Sequence, residues 1–183
     1  ADASTPLLLP PVPVDAPDLT VADLLTPLIQ RAAATATLQS RHWHGPEHWT
    51  EWTKAARPAA DAVMAEIVAN LLENAFRYSP PGCALGLKLL NHAICVWDAG
   101  PSIPVTEHER IFQQGERGSS SIDRPGSGLG LSLARRLAEN RGGSLSLHTE
   151  PNTLDKGLPA KGNAFLLKLP ETEQEQAEPK PAK

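Results

Sequence analysis

The chain has 183 residues, enough for one domain with a sizeable core and too few for two full domains and a linker. Its composition, 40% hydrophobic and 21% charged, excludes collagen-like, membrane-spanning and fully disordered proteins. The formal net charge of -4 provides no basic field for a nucleic-acid backbone, so we expect no nucleic-acid partner.

The two ends of the chain differ in composition from its middle. A dense run of prolines predicts that residues 1–18 form a disordered, extended linker. Residues 171–183 are charged and poor in apolar side chains, which predicts a disordered tail. We therefore expect one folded domain over residues 19–170.

Three features of the sequence bear on the location of the protein. No apolar run approaches the roughly 20 residues that a membrane-spanning helix needs. Cys83 and Cys95 lack metal-like spacing, which predicts two reduced thiols rather than a disulfide. The chain begins at Ala1 without Met, which fits a piece cut from a longer protein. We expect a cytoplasmic location and no membrane contact from this segment.

The first predicted helix is followed by a segment rich in histidine and tryptophan. Apolar residues at helical spacing predict the helix over residues 21–39, which either contains Pro27 or begins beside it with Thr26 as its cap. Strand edge and loop, with tryptophans covering the core, is the favoured interpretation of the next segment, because no carboxylate or thiol completes a metal site. A metal site is the alternative, with three candidate ligands: His42, His44 and His48.

The clearest helix spans residues 61–78 and has a wide apolar stripe that needs a sheet to lie on. The prolines and glycine of residues 79–82 stop it. Two strands, at residues 84–90 and 92–97, then form a hairpin around Asn91.

The second half of the domain alternates loops, helices and strands. A sharp loop begins at Asp98, and a short helix over residues 105–114 follows it. A polar loop rich in glycine and serine covers residues 115–125. The remaining predicted elements are a helix at residues 127–141, ended by a glycine pair, and two strands at residues 144–148 and 164–169.

One face of the helix at residues 61–78 carries side chains that bind metal ions and phosphate. Helical spacing places them together, on the side opposite the apolar stripe. Amide oxygens are hard ligands for Mg²⁺, and arginine pairs with phosphate. A solvated polar face, which any surface helix has, is the alternative interpretation. The side chains concerned are Glu66, Asn70, Asn74, Arg77 and Tyr78.

Two further elements favour a phosphate-containing ligand. The glycine-rich run at residues 126–131 stands at a predicted helix start, where free backbone N–H groups and the helix dipole attract phosphate. It matches neither the P-loop nor the dinucleotide-binding fingerprint. Asp98 ends a predicted strand and offers a carboxylate that accepts a hydrogen bond from an exocyclic amine such as that of adenine. An ordinary turn-forming aspartate is the alternative.

In this order, the segments resemble the catalytic and ATP-binding domain of sensor histidine kinases, which has the Bergerat fold of the GHKL ATPase superfamily. The resemblance runs from about Val21 to Pro170. It implies an α+β two-layer sandwich with a mixed sheet and helices on one face. Four motifs carry it: residues 70–80 look like the N box, residues 98–100 like the first glycine box, Ile111-Phe112 like the F box, and residues 126–131 like the second glycine box.

The resemblance implies that the ligands are ATP and Mg²⁺. Asn74 would coordinate Mg²⁺, and Asn70 would support the metal and the phosphates. Arg77 and Tyr78 would face the phosphate chain. Asp98 would recognise adenine.

The glycines and the lid have implied roles as well. Gly100 would let the backbone close on the base, and Phe112 would anchor an ATP lid over residues 115–125. Arg117, in that lid, would approach the γ-phosphate. The second glycine box would line the phosphate path through Gly126, Gly128, Leu129, Gly130 and Leu131.

Some positions depart from the family's pattern. Ser102 stands where the first glycine box has a second glycine, and residues 114–116 replace the aromatic continuation of the F box. Members that hydrolyse ATP have a glutamate at the position of Asn70, whose amide cannot take up a proton. The resemblance therefore implies a protein-histidine kinase that transfers the γ-phosphate to a histidine for relay to a response regulator. The alternatives are a nucleotide-responsive regulatory module and a GHKL serine kinase of the anti-sigma type.

No histidine of this chain matches the family's phosphoacceptor motif, which lies on a helical hairpin before the N box. The region before His42 is too short and too rich in proline for such a hairpin, and His108 lies downstream. We expect the dimerisation domain with the acceptor histidine on another chain or in a removed segment, and we expect this piece to be monomeric.

Overall fold

The computed structural model describes residues 19–55, 60–113 and 130–171. The described residues form one five-stranded sheet with the strand order β1-β2-β3-β5-β4. Its first strand is parallel to the second, and all the other neighbouring strands are antiparallel. The strands are β1 (His42–His44), β2 (Ala84–Leu90), β3 (Ala93–Asp98), β4 (Ser144–His148) and β5 (Asn163–Lys168).

The longer helices lie on one face of this sheet, where their apolar side chains share a core with the inward side chains of the strands. Leu25, Leu71, Leu87 and Leu167 are among the fully buried members of that core. The predicted fold class, an α+β sandwich of a mixed sheet with helices on one face, is confirmed. The α-helices in the described ranges are α1 (Val21–Leu38), α2 (Glu51–Lys54), α3 (Ala62–Tyr78) and α4 (Leu131–Asn140).

Helix α3 forms where its cap and apolar spacing predict it. Asp61 precedes the helix, and its Oδ1 accepts a hydrogen bond from the N–H of Met64 at 2.9 Å. This bond satisfies one of the N–H groups that a helix start leaves free. Ile67 and Leu71 are buried in the core. The helix ends before Ser79 because the two prolines that follow cannot continue it.

The second face of the sheet is covered by the connection between β4 and β5, which contains the short 3-10 helix Pro151–Thr153. Leu158 of this connection packs with Cys95 and Trp97 in a second, smaller apolar cluster. Asp155 forms an ion pair with Lys88 of β2, at 3.2 Å between Oδ2 and Nζ. Both cysteines are free thiols, as predicted.

Several predicted boundaries need correction. The prediction of one helix over residues 105–114 is wrong: two 3-10 helices, Val105–Glu107 and Arg110–Phe112, replace it. Their bonds connect residues three apart, as in the 2.8 Å bond from the N–H of Glu107 to the carbonyl of Pro104. The helix predicted from residue 127 begins at Leu131, because Gly130 has an extended backbone with ψ 158°.

The start of α1 resolves the question of Pro27. Thr20 caps the helix, because its hydroxyl oxygen accepts a hydrogen bond from the N–H of Asp23 at 3.0 Å. Pro27 therefore lies inside the helix and not in its first turn. Strands β3 and β5 are shifted by one residue from their predicted ranges, and the one-turn helix α2 was not predicted.

The histidine- and tryptophan-rich segment forms the edge of the sheet, as the favoured interpretation predicted. His42 and His44 are exposed on β1, while Trp43 and Trp49 pack against the core. Nowhere in the described ranges do three histidine, cysteine or acidic side chains form a group able to hold a metal ion. The structure therefore gives no support to the alternative of a metal site.

Some sequence predictions lie outside the described residues, namely the linker at residues 1–18, the lid at residues 115–125 and the tail after Glu171. The predicted domain limits remain a prediction. Among the helices that the structure describes, none is long and apolar enough to cross a membrane.

Candidate functional site

Asp98, at the end of β3, is the buried carboxylate of the site, with 3% of its surface exposed. Its Oδ1 accepts hydrogen bonds from the N–H of Gly100 at 2.9 Å and from Nδ2 of Asn163 at 3.2 Å. Burial raises the pKa of Asp98, and these two hydrogen bonds oppose that rise. The part of the chain that the structure describes supplies no hydrogen bond to Oδ2, so this oxygen is available to a ligand.

Gly100 lies where the structure leaves no room for a side chain. A Cβ atom at this position would lie 2.9 Å from Oδ1 of Asp98 and 3.2 Å from Cδ of Pro80. A side chain would therefore push against the carboxylate and against the end of α3. The close approach places the loop after β3 next to the turn that follows α3.

Asn163 holds this loop in place and was missed by the sequence analysis. It is 2% exposed, and its Nδ2 also donates to the carbonyl of Pro101 at 2.9 Å. Its Oδ1 accepts from the N–H of Ile103 at 2.8 Å. One buried amide thus fixes both the carboxylate of Asp98 and the loop that follows it. The only signal in the sequence was the preceding Gly162, because glycine is favoured where the backbone takes an unusual conformation, and its φ in the structure is +150°.

Asn70 and Asn74 are buried on α3, with 5% and 9% of their surfaces exposed. The alternative interpretation, a solvated polar face, is therefore wrong for these two residues. The reason is the width of the buried surface of α3, which leaves Glu66 exposed and takes in both amides. Nδ2 of Asn70 is buried without a hydrogen-bond partner among the described residues.

An unpaired buried amide destabilises the protein by about 1–3 kcal/mol unless something satisfies it. The Nδ2 group of Asn70 therefore fits a ligand that supplies a hydrogen-bond acceptor, such as a phosphate oxygen. Its position one turn before Asn74 on the same helix places two amides on neighbouring turns. This donor set is compatible with Mg²⁺, which accepts neutral oxygen ligands and keeps several waters.

Arg77 and Tyr78 line an open cavity of about 520 Å³ at the C-terminal end of α3, together with Pro101 of the loop after β3. Nη2 of Arg77 lies 3.1 Å from Oε1 of Glu73, one turn earlier on the helix. The structure brings these two predicted phosphate-facing residues next to the Asp98 loop. Asn70 does not line the same cavity.

Phe112 is half-buried and packs edge-on against Phe165 of β5, with 6.2 Å between ring centroids and 75° between planes. The guanidinium of Arg135 in α4 lies 4.7 Å from the centroid of the Phe112 ring. The F-box phenylalanine is thus attached to the sheet on one side and to α4 on the other.

The second glycine box is described only at its end. Gly130 precedes α4, and none of the described side chains caps the helix there. The N–H groups of the first turn, beginning at Leu131, carry the positive end of the helix dipole. Four predicted site residues lie outside the described residues: Arg117, Gly126, Gly128 and Leu129.

The described groups are complementary to a ligand with a hydrogen-bond donor at one end and negative charge at the other. A carboxylate oxygen of Asp98 can accept from an amine in a dry environment. The start of α4 and the guanidinium of Arg77 can bind anionic oxygens. Adenine nucleotides have both features.

Comparison with known proteins points to the same ligand class. A family model described as histidine kinase-, DNA gyrase B-, and HSP90-like ATPase matches residues 60–173. The chain is similar to the sensor histidine kinase Hik2 of Thermosynechococcus vestitus, with 35% identity over 173 residues that cover 87% of this chain and 40% of Hik2. It is also 37% identical over 114 residues to the histidine-protein kinase/phosphatase MprB of Mycobacterium sp. strain KMS, covering 60% of this chain and 21% of MprB.

The fold resembles that of the catalytic domain of histidine kinase ThkA, with a TM-score of 0.64 and 17% sequence identity. The match covers 86% of this chain and 96% of the ThkA domain. The chain therefore shares the fold of the ThkA domain, and it spans less than half the length of Hik2.

Proposed function

The chain belongs to the family of histidine kinase-, DNA gyrase B- and HSP90-like ATPases, and on that premise we propose that it is the ATP-binding catalytic part of a two-component sensor histidine kinase. Its substrate is then ATP, and its product is a phosphohistidine on a dimerisation domain outside this chain. The similarity to Hik2 and MprB, both histidine kinases, supports this choice within the family. The observation that carries it is the buried Asp98, held on one oxygen and available on the other.

Asp98 recognises the base. Its Oδ2 accepts a hydrogen bond from the exocyclic amine of adenine, and the raised pKa reflects the dry surroundings that strengthen such a bond. Guanine presents a carbonyl oxygen at the corresponding position of its ring. That carbonyl would face a carboxylate and repel it, so the site selects adenine over guanine.

The phosphate chain is held by the start of α4 and by Arg77. The N–H groups at the start of α4, from Leu131 on, would donate hydrogen bonds to the phosphate oxygens. The Asn70 and Asn74 amides would hold Mg²⁺, which neutralises negative charge on the phosphates when it is bound. Nδ2 of Asn70, unpaired among the described residues, would donate to an oxygen of this ligand.

The reaction is a transfer of the γ-phosphoryl group. An imidazole nitrogen of the acceptor histidine forms a bond to the γ-phosphorus, the bond to the β,γ-bridging oxygen breaks, and ADP leaves. This chain contributes binding, orientation and charge neutralisation. Asn70 provides no carboxylate to activate water, which favours transfer to histidine over hydrolysis of ATP.

The partner is a dimerisation domain that carries the acceptor histidine, and a response regulator receives the phosphoryl group from it. Both are outside this chain, and the location we propose is the cytoplasm, where ATP is supplied. The acceptor domain belongs to the same full-length protein or to another chain.

The test is phosphorylation of a separately purified dimerisation domain from the corresponding full-length protein. The chain, the acceptor domain, radiolabelled ATP and Mg²⁺ are mixed, and the label on the acceptor is followed. We expect an acid-labile, base-stable phosphate that disappears when the acceptor histidine is replaced by alanine. The matched control is Asp98→Asn, which should transfer no label. Tight ATP binding without any phosphohistidine would contradict the proposed kinase activity. It would instead favour the alternative of a nucleotide-responsive regulatory module.

A further inference from the structure

Arg135 lies on α4, which follows residues 114–129, and it contacts side chains of the segment that precedes them. Its guanidinium carbon lies 4.7 Å from the centroid of the Phe112 ring. Its Nη1 lies 3.5 Å from Oε2 of Glu109, in the turn before Phe112, and its Nε lies 3.4 Å from Oε1 of Glu139 on its own helix. One side chain thus links the F-box 3-10 helix to the helix that follows the second glycine box.

The Phe112 end of this link is attached to the core. Phe112 packs edge-on against Phe165, which is 6% exposed in β5. Arg135, Phe112 and Phe165 therefore form a continuous row of contacts from α4 to the sheet. A planar guanidinium can lie over a ring and reach two carboxylates at once, which a lysine ammonium cannot reproduce.

The other contacts of α4 lie on its sheet-facing side and at its C-terminal end. Ala134 and Ala138 are buried, and Leu131 and Leu137 are partly buried against the core. Arg141, directly after the helix, pairs with Asp61 at 2.8 Å. The contact of Arg135 with Phe112 supplies a directional contact one turn after the start of the helix.

We infer that Arg135 is a positioning residue for the phosphate site: it holds α4 against the Phe112 turn and so fixes where the first-turn N–H groups point. The inference rests on the proposed function, because it concerns the phosphates of the proposed nucleotide. Arg135 is not placed in contact with the ligand. It acts through the position of Gly130 and Leu131 at the start of the helix.

A purely structural role would have a different signature. Loss of a contact that only stabilises the fold lowers the melting temperature and leaves the affinity for both ligands unchanged while the chain stays folded, or lowers both affinities in parallel once the unfolded state is populated. Loss of a contact that aims the phosphate site weakens ligands that carry phosphates and spares adenosine, which binds through its base.

The experiment titrates the full chain with a non-hydrolysable ATP analogue by calorimetry and with adenosine by NMR. The variants are Arg135→Ala, Arg135→Lys and, as a matched control, Arg136→Ala at the exposed neighbouring position. We expect Arg135→Ala to lower the affinity for the analogue by about five- to tenfold, the range of one or two lost polar contacts. The affinity for adenosine should fall by less than about twofold. Arg135→Lys should be intermediate, and Arg136→Ala should match the wild type.

Two results would overturn the inference alone: wild-type affinity of Arg135→Ala for the analogue, or an equal loss of affinity for adenosine and analogue. A wild-type chain that is folded and binds neither ligand would instead overturn the proposed function, and the inference with it.

Discussion

The amide of Asn163 donates a hydrogen bond to the carboxylate of Asp98, at 3.2 Å between Nδ2 and Oδ1, although the two residues are 65 positions apart in the sequence. They meet because β5 lies beside β3 and pairs Asp98 with Asn163 in register. The same amide holds Pro101 and Ile103. The pairing of β3 with β5 thus fixes the Asp98 carboxylate and the loop after it.

Asn163→Ala should both destabilise the chain and weaken nucleotide binding. The change removes the hydrogen-bond acceptor of the Ile103 N–H and one hydrogen-bond donor to Oδ1 of Asp98. We expect the free energy of unfolding to fall by about 1–3 kcal/mol. Urea unfolding and calorimetric titration measure the two effects. Asn152→Ala, at an exposed position of the β4–β5 connection, is the control and should change neither. Equal behaviour of the two variants would contradict the role given to Asn163.

Asp98→Asn should stabilise the nucleotide-free chain while it impairs adenine binding. Burial raises the pKa of Asp98, so the folded state disfavours the charged carboxylate. A carboxyl group with a raised folded pKa has its full stabilising effect below its ordinary pKa and loses it as the pH rises through the folded pKa. The amide of asparagine does not ionise, so its effect on stability does not change with pH in this way.

The variant should therefore melt at a higher temperature than the wild type at pH 7.5, and the difference should shrink as the pH falls toward the ordinary pKa of aspartate. Thermal melts across this pH range give the answer. Adenine nucleotide affinity should fall at least tenfold, because an amide N–H would face the amine of the base. A variant that melts lower at neutral pH, or binds adenine normally, would be inconsistent with the site described above.

Gly162→Ala should be far more harmful than Gly82→Ala, although both glycines have positive φ. A Cβ atom at Gly162 would lie 2.1 Å from the backbone oxygen of Asp98, whereas at Gly82 it would meet open space. We expect a loss of about 1 kcal/mol for Gly82→Ala from backbone strain alone, and more than about 3 kcal/mol for Gly162→Ala. Chemical unfolding of both variants measures the two losses of stability. Similar losses would show that the backbone of Asp98 does not exclude a side chain at position 162.

The two cysteines should differ in reactivity. Cys95 has no exposed surface, and burial raises its pKa to about 12. Cys83 is half-buried, and burial raises its pKa as well. Alkylation of the native chain at pH 8, followed by mass spectrometry, should modify Cys83 slowly and leave Cys95 intact until denaturant is added, because the thiolate is the reactive form. Native labelling of both at one rate would argue against the packing of the second apolar cluster.

Local patterns predicted those parts of the fold that local interactions determine. Helix α3 and strand β2 lie where apolar spacing and the Pro-Pro-Gly turn indicate. The two 3-10 helices after Pro104 were missed, because a short polar stretch with an occasional apolar residue fits one α-helical turn equally well. The burial of Asn70 was missed for a different reason: helical spacing says which residues share a face, not how much of that face the sheet covers.

Some residues of the candidate site could likewise be suggested from local patterns, and others could not. Asp98 and Gly100 belong to one turn and were found from their spacing. Asn163 and Arg135 act through contacts with distant segments, to Asp98 and to Phe112, which no local pattern contains. Their roles follow only from the pairing of β3 with β5 and from the packing of α4 beside the F box.

The most direct test of the nucleotide site is calorimetric titration of the chain with a non-hydrolysable ATP analogue, with and without Mg²⁺, on the wild type and on Asn74→Ala. We predict binding that Mg²⁺ strengthens and that Asn74→Ala weakens, with most of the loss in the Mg²⁺-dependent part. A folded wild-type chain that binds no analogue under either condition would contradict the central claim that this domain holds ATP between Asp98 and the start of α4.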